Sequence, residues 1–288
     1  MNAMSPTPRM SLAGVNWQQS WEELEATRPT SGNAAHWNKR STSYGDMRYG
    51  DYERRFFELA QIAPGSTVLD FGCGVGLMAI PLAKQGCRVI ACDFSQGMLD
   101  QLAIHAREAG VEGLIEPHLL SWDDDWSAAG LAPDSVDVAI ASRSIATTHL
   151  EAALRKLDAV ACERVCVTVA AGASPRRDVR AYEAVGRTAF WVPDYAYCLN
   201  ILLAYGVFAD LTYIVTHRRP AFEDRADALA QLAKMMGDDL SPEEQACLAA
   251  YVDAQYVEDP TMPADRTFAA RHDCPVRWAF ISWGPVGR

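Results

Sequence analysis

The 288-residue chain predicts an α/β protein: a seven-stranded, mostly parallel sheet with helices on both faces, plus helical insertions late in the chain. Three observations predict it. Between residues 66 and 170, short β-type runs alternate with longer helical runs, the pattern of βαβ units. Capping and stop residues punctuate those runs. Two later β-type runs, 208–218 and 276–284, bring the strands to seven.

Residues 1–14 are rich in Ser, Pro and Met and are expected to lack regular structure. NWQQSWEELEAT (16–27) predicts a short helix. In 36–62 a polar, aromatic lead-in precedes an amphipathic helix. Tyr52, Phe56, Leu59 and Ile62 recur there at helical spacing, and Pro64-Gly65 stops it. STVLDFG (66–72) is the first strand. GLMAIPLAKQG (76–86) reads as a helix, with Pro81 as a discordant residue inside it. CRVIACD (87–93) is the second strand. The helix SQGMLDQLAIHAREAG (95–110) runs from Ser95 as N-cap to Gly110 as stop. LIEPHLLSW (114–122) holds the third strand, SVDVAIASRS (135–144) the fourth and RVCVTVA (164–170) the fifth, with HLEAALRKLDAVA (149–161) a helix between the last two.

Beyond the fifth strand, 173–191 reads as an irregular insertion and 193–207 as a strongly apolar helix. Two more helices are expected at 226–237 and 241–256, the second opened by a capping box of Ser241 and Glu244 with Pro242 at the first helical position. The expected organisation is an N-terminal extension (1–35), a ligand-binding core (36–170), and a remainder (171–288). That remainder carries the last two strands and helical insertions around a substrate site.

Lys and Arg number 26 against 37 Asp and Glu, a formal net charge of −11, which argues against a broad phosphate-binding surface. No apolar run approaches the length of a membrane span. MNAMSPTPRMSLAG lacks the hydrophobic stretch of a signal peptide, so a cytoplasmic location is expected. The eight cysteines form no CxxC pair and no zinc-type spacing with histidine; reduced, buried thiols and no metal are expected.

The functional question lies in VLDFGCGVG (68–76). Gly72, Gly74 and Gly76 follow G-x-G-x-G. A dinucleotide loop of the form G-x-G-x-x-G needs glycine at 77, which is Leu77, and no Lys-Ser or Lys-Thr follows to make a P-loop. Asp93 ends the next strand, and ligands of such sheets sit at the carboxyl ends of the strands.

VLDFGCGVG resembles the first motif of class I S-adenosylmethionine-dependent methyltransferases of the small-molecule type. VIACDFSQGMLDQL (89–102) resembles that family's second strand and its D-x-S-x-x-M-L helix start; SWDDDW (121–126) and SVDVAIAS (135–142) fall at its third-strand loop and fourth strand. The resemblance covers about 37–170. It implies a Rossmann-like methyltransferase fold, with S-adenosylmethionine as cofactor and S-adenosylhomocysteine as product. Glycines without Cβ, and Cys73 among them, would let the backbone approach the cofactor. Asp93 would accept both ribose hydroxyls. Asp70 would order the loop or bind the cofactor's amino group through water. Phe94 and Met98 would pack on the adenine, with Ser95 capping the helix beside them. Asp123 would take the adenine amino proton, flanked by Ser121 and Trp122. Ser142 would face the methionine moiety. In the lead-in, Trp37, Tyr44 and Arg48 are candidates to fold over the cofactor, where an aromatic face attracts a sulfonium.

Methyl transfer needs mainly positioning and water exclusion. After the fourth strand, Arg143 is a candidate to hold an anionic acceptor and His149 a candidate base. The aromatic cluster Phe190, Trp191, Tyr195 and Tyr197 is expected to wall an acceptor pocket or to be core. His217, Arg218 and Arg219 are expected to bind an acidic group or to cap the sixth strand. Amino-methylating nucleic-acid enzymes of this fold often carry Asn/Asp-Pro-Pro-Tyr where this chain has Ala141-Ser142-Arg143-Ser144. A small-molecule acceptor is therefore favoured, with a nucleic acid disfavoured and a homodimer as one oligomeric option. The alternatives are an RNA or protein methyltransferase, a non-catalytic S-adenosylmethionine-binding protein, and a nucleotide-dependent oxidoreductase.

Overall fold

The structure, a computed structural model, describes residues 14–27, 34–41, 49–145, 147–172, 178–189, 194–237 and 239–285. Seven strands form one sheet: β1 (Thr67–Phe71), β2 (Arg88–Asp93), β3 (Ile115–Leu119), β4 (Val136–Ser142), β5 (Ala161–Ala170), β6 (Asp210–Arg218) and β10 (Cys274–Trp283). Their order is β3-β2-β1-β4-β5-β10-β6. Strands β1 to β5 pair in parallel, and β10 runs antiparallel to both β5 and β6. The chain reverses its direction of travel through the sheet between β1 and β4, which opens a crevice at their carboxyl ends.

Period-2 alternation divides the strand side chains between two cores. Leu69, Phe71, Ala139, Ala141, Val165 and Val167 pack on one face against α1 (Trp17–Ala26), α6 (Leu150–Val160) and α8 (Asp194–Ala204). Val68, Val89, Ala91, Val138 and Ile140 pack on the other against α3 (Asp51–Ala60), α4 (Ala79–Lys84) and α5 (Gln96–Glu108). Pro81 is the third residue of α4, where a backbone N–H has no partner within the helix, so its ring breaks nothing. Ser95 caps α5 by accepting from the Met98 N–H at 3.3 Å, as its sequence predicts.

Three features depart from expectation. The lead-in contains a helix, α2 (Ala34–Ser41). The 173–191 insertion contains α7 (Val179–Ala184), capped by Asp178. Three short strands, β7 (Ala221–Phe222), β8 (Tyr256–Glu258) and β9 (Phe268–Ala270), form a second antiparallel sheet in the order β7-β9-β8. Two or three residues are too few to show alternation, so the pattern could not reveal them. These strands join α7, α9 (Arg225–Met236) and α10 (Pro242–Gln255) around a separate apolar cluster of Ala181, Leu232, Leu248, Val252, Tyr256 and Phe268. Buried Asp178 ties it together: its carboxylate accepts from the Tyr251 and Tyr256 hydroxyls, each at 2.9 Å, and from the Arg180 and Ala181 N–H groups. The chain enters this unit after β5 and β6 and leaves it into antiparallel β10, which places it at the sheet end that carries the glycine loop.

The apolar helix expected at 193–207 is a sheet-covering helix. Tyr197 is packed between Trp17 and Trp21 of α1, and Tyr195 lies edge-on to Tyr213 of β6. Phe190 and Trp191 lie outside the described residues, as do Tyr44 and Arg48. Among the described residues no helix is long and apolar enough to cross a membrane.

Candidate cofactor-binding site

The glycine loop leaves β1 at the crevice. Gly72 and Cys73 both donate their N–H groups to the Cys92 carbonyl, at 2.7 and 2.9 Å, so the loop folds back over the end of β2. Gly72, Gly74 and Gly76 all have positive φ. A Cβ on Gly72 would lie 2.3 Å from the Ser144 Cβ, and one on Gly76 would lie 2.5 Å from Leu102. At Gly74 it would meet nothing within 4 Å. Two glycines are thus required by packing, and the third leaves an open cradle.

Asp93, buried at the end of β2, accepts the Gly74 N–H through one oxygen and the Ser95 N–H through the other, both at 2.9 Å. Burial pushes its carboxyl up, while the backbone amides of Ser95, Gly74 and Phe94 pull it back down. Each carboxylate oxygen keeps a further lone pair, so the group can still accept two hydroxyls. Asp70 lies beneath the loop. Burial, reinforced by the nearby Asp93 charge, raises it to about 7, although the Ala79 N–H opposes the shift. Its Oδ2 is buried without a hydrogen-bond partner. An acceptor in that state suits a donor or a cation supplied by a ligand. Burial, with Asp70 and Asp93 close by, holds the Cys73 thiol far above its ordinary range, so Cys73 is wall and not nucleophile.

The loops after β3 and β4 close the floor. The Ser144 hydroxyl donates to the Phe71 carbonyl at 2.6 Å, and the Trp122 indole N–H donates to the Ser144 carbonyl at 3.1 Å. Trp122 and Trp126 pack on Phe71 with centroids 4.1 and 4.3 Å away. Ser121 and Asp123 lie in a tight turn: the Ser121 N–H donates to Asp124, and the Asp123 N–H donates to the Ser121 hydroxyl. The Asp123 carboxylate is exposed beside that turn. Phe94 is 39% exposed beyond β2, whereas Met98 is buried.

Helix α2 docks on this corner. The Asn38 side-chain oxygen accepts from the Ser95 hydroxyl at 2.7 Å and from the Gly97 N–H at 3.0 Å. A Cβ on Gly97 would lie 3.1 Å from the Asn38 Cα, so glycine there permits the approach. Trp37 is the adjacent residue, with the Arg40 guanidinium 5.5 Å from its ring. Asn38 escaped the sequence reading because an asparagine in a polar lead-in carries no pattern.

A second cluster forms where β4 and β5 end. The Tyr52 hydroxyl, buried on α3, is 2.9 Å from the Ser142 hydroxyl and 2.6 Å from that of Thr168. Arg143 follows Ser142 with φ +61°, a conformation rare for a residue with a side chain. Its N–H donates to Thr168, its guanidinium lies 4.0 Å from the Tyr52 ring centroid, and it donates to buried Glu53 at 3.1 Å. Ser142 and Arg143 are therefore brought together. His149 is not part of this cluster. It occupies the N-cap of α6, is largely exposed, and faces Glu22 of α1 at 3.8 Å. The structure thus places His149 beside α1, apart from Ser142 and Arg143. Arg219, just past the end of β6, donates to Asp259 and to the Ala270 carbonyl.

Residues 68–163 match the family described as a methyltransferase domain. An uncharacterized protein of Haemophilus influenzae is 32% identical over 282 residues, 95% of this chain and 98% of that one. The ubiquinone biosynthesis O-methyltransferase of Ruegeria sp. is 38% identical over only 63 residues, 22% of this chain and 25% of that one. Among solved structures, the BH2331 protein of Bacillus halodurans C-125 superposes with a TM-score of 0.51 at 11% identity, covering 82% of this chain and 99% of that one. Residues 68–163 thus form a methyltransferase domain with the class I, Rossmann-like fold, for which S-adenosylmethionine is the cofactor.

Proposed function

We propose that the protein transfers the methyl group of S-adenosylmethionine to a small, anionic acceptor held at the carboxyl ends of β4 and β5. Gly72, Gly74 and Gly76 form the cradle. Asp93 takes the ribose hydroxyls, Asp70 the amino group, and Phe94, Met98, Ser121, Trp122 and Asp123 surround the adenine. Trp37 stands at its edge on α2. The bound cofactor supplies an activated methyl group and departs as a neutral thioether. The residues of this chain position the acceptor and exclude water.

One observation carries the acceptor class. Arg143 is anchored by the buried Glu53 carboxylate and stacked on Tyr52, yet its side chain remains 31% exposed at the end of β4. A guanidinium has five donors in a planar fork, and one hydrogen bond to Glu53 leaves others for a carboxylate or phosphate. The acidic net charge supports a small acceptor over a nucleic acid, and eight free cysteines suit the cytoplasm.

The test is transfer of a labelled methyl group into fractionated metabolite extracts, with bulk RNA and protein as parallel acceptors. Label is expected in an anionic small-molecule fraction. R143A is expected to lose most of that transfer while binding S-adenosylhomocysteine as the parent does. Label confined to RNA or protein would overturn the reading, and label in no fraction would favour a non-catalytic binding role.

A further inference from the structure

Strand β6 is one edge of the seven-stranded sheet, and β10 is its sole partner among the described strands. An open edge offers a row of backbone donors and acceptors, and proteins blunt such edges with charge, proline or bulges. The opposite edge, β3, is blunted in this way: it reads IEPHL, with Glu116, Pro117 and His118 in sequence. Between Asp210 and His217, β6 reads LTYIVT, without charge or proline. Leu211, Tyr213 and Val215 occupy alternate positions on one face at 37%, 42% and 45% exposure, and Phe208 just before them is 86% exposed.

We propose that β6 pairs with the β6 of a second copy of this chain, antiparallel, about a two-fold axis through Ile214. The strand is complementary to itself in that register. Asp210 faces the partner's Arg218, Thr212 faces the partner's Thr216, and Tyr213 faces the partner's Val215. Opposite charges, threonine pairs and aromatic–β-branched pairs are the combinations that stabilise antiparallel strands. Slipping the register by two residues in either direction separates Asp210 from the partner's Arg218. Slipping it by one would set the exposed apolar face of one sheet against the opposite face of the other. The contact is isologous and closes on itself, so it makes a dimer and not a filament. Because β4, β5 and β10 separate β6 from β1, both glycine loops stay clear of the axis.

Light scattering on the full chain at micromolar concentration tests the proposal. The expected mass is twice the 31.6 kDa of one chain. D210R and R218D should each halve it, and the double variant D210R/R218D should restore it by rebuilding the pair with reversed sign. Y213K, which sets a charge into the apolar stripe, should also give single chains. Circular dichroism reports whether each variant is folded. A wild-type chain of single mass would overturn the proposal and leave this face to another partner. So would a doubled mass indifferent to D210R and Y213K, or a folded double variant that stays single.

Discussion

The Asp93 carboxylate and the Gly74 N–H are bonded at 2.9 Å, so the acid that ends β2 and the middle glycine of the loop behave as one unit. The other Asp93 oxygen holds the Ser95 N–H at the start of α5. One side chain therefore sets the spacing between the glycine loop and the start of α5. D93A should remove these charge-assisted contacts together with the two expected from the ribose. Each is worth about 1.5–3 kcal/mol, so affinity for S-adenosylhomocysteine should fall by at least roughly tenfold. Titration calorimetry measures it, and an unchanged affinity would show that the ribose sits elsewhere.

The glycines should separate fold from binding. G72A drives a methyl group to within 2.3 Å of the Ser144 side chain, whose hydroxyl holds the Phe71 carbonyl, so this variant should lose stability and binding together. G74A meets no atom within 4 Å and carries only the left-handed backbone cost of about 1–2 kcal/mol. It should fold, with a thermal midpoint lowered by roughly 2–8 °C, and yet bind cofactor poorly, because its methyl group occupies the cradle. Thermal unfolding and calorimetry on both variants check the contrast. Full binding by G74A would place the cofactor away from the loop.

What the sequence made legible follows from how local each feature is. VLDFG, CRVIACD and SVDVAIAS could be read as strands, and Asp93 as a strand-end acid, because alternation and stop residues lie within the segment itself. The Ser95 and Ser241 caps were legible for the same reason, and both hold in the structure. Asn38 and Glu53 were not. Asn38 reaches Ser95 across 57 positions and Glu53 reaches Arg143 across 90, and neither residue sits in a spacing that announces a partner. The contact of His149 with Glu22 was not legible either, because the docking of α1 leaves no local pattern. Trp21 of α1 donates to the Thr147 carbonyl and Gln18 to the Thr148 carbonyl, which fixes that loop from a distance of more than a hundred residues.

Asn38 supplies a third test. Its side-chain oxygen is the acceptor for both the Ser95 hydroxyl and the Gly97 N–H, so N38A should release α2 from α5 while leaving the sheet intact. N38D keeps an acceptor and should retain the docking. Hydrogen exchange across residues 34–41 should rise in N38A and stay near the parent rate in N38D. The KM for S-adenosylmethionine should rise in N38A alone. Equal exchange in both variants would mean that other contacts hold α2.

Asp70 gives the pH dependence. Its folded value of about 7 lies above the ordinary 3.8, because burial and the Asp93 charge disfavour ionisation. A raised carboxyl means that the folded chain binds the proton more tightly than the unfolded one, so its contribution to stability falls as pH rises from 3.8 to about 7 and stays low above that. D70N keeps the shape and has no charge to bury, so it should melt higher than the parent at pH 8, by a smaller margin at pH 5, and with no margin near pH 3.8. Cofactor binding should run the other way. A cationic amino group beside the unpartnered Oδ2 favours the ionised form, so affinity should increase between pH 6 and pH 8 and binding near pH 7 should release a fraction of a proton. Calorimetry in two buffers of different ionisation enthalpy measures that release. D70N should abolish it and bind more weakly at pH 8, whereas proton release that persists in D70N would assign the titration to another group.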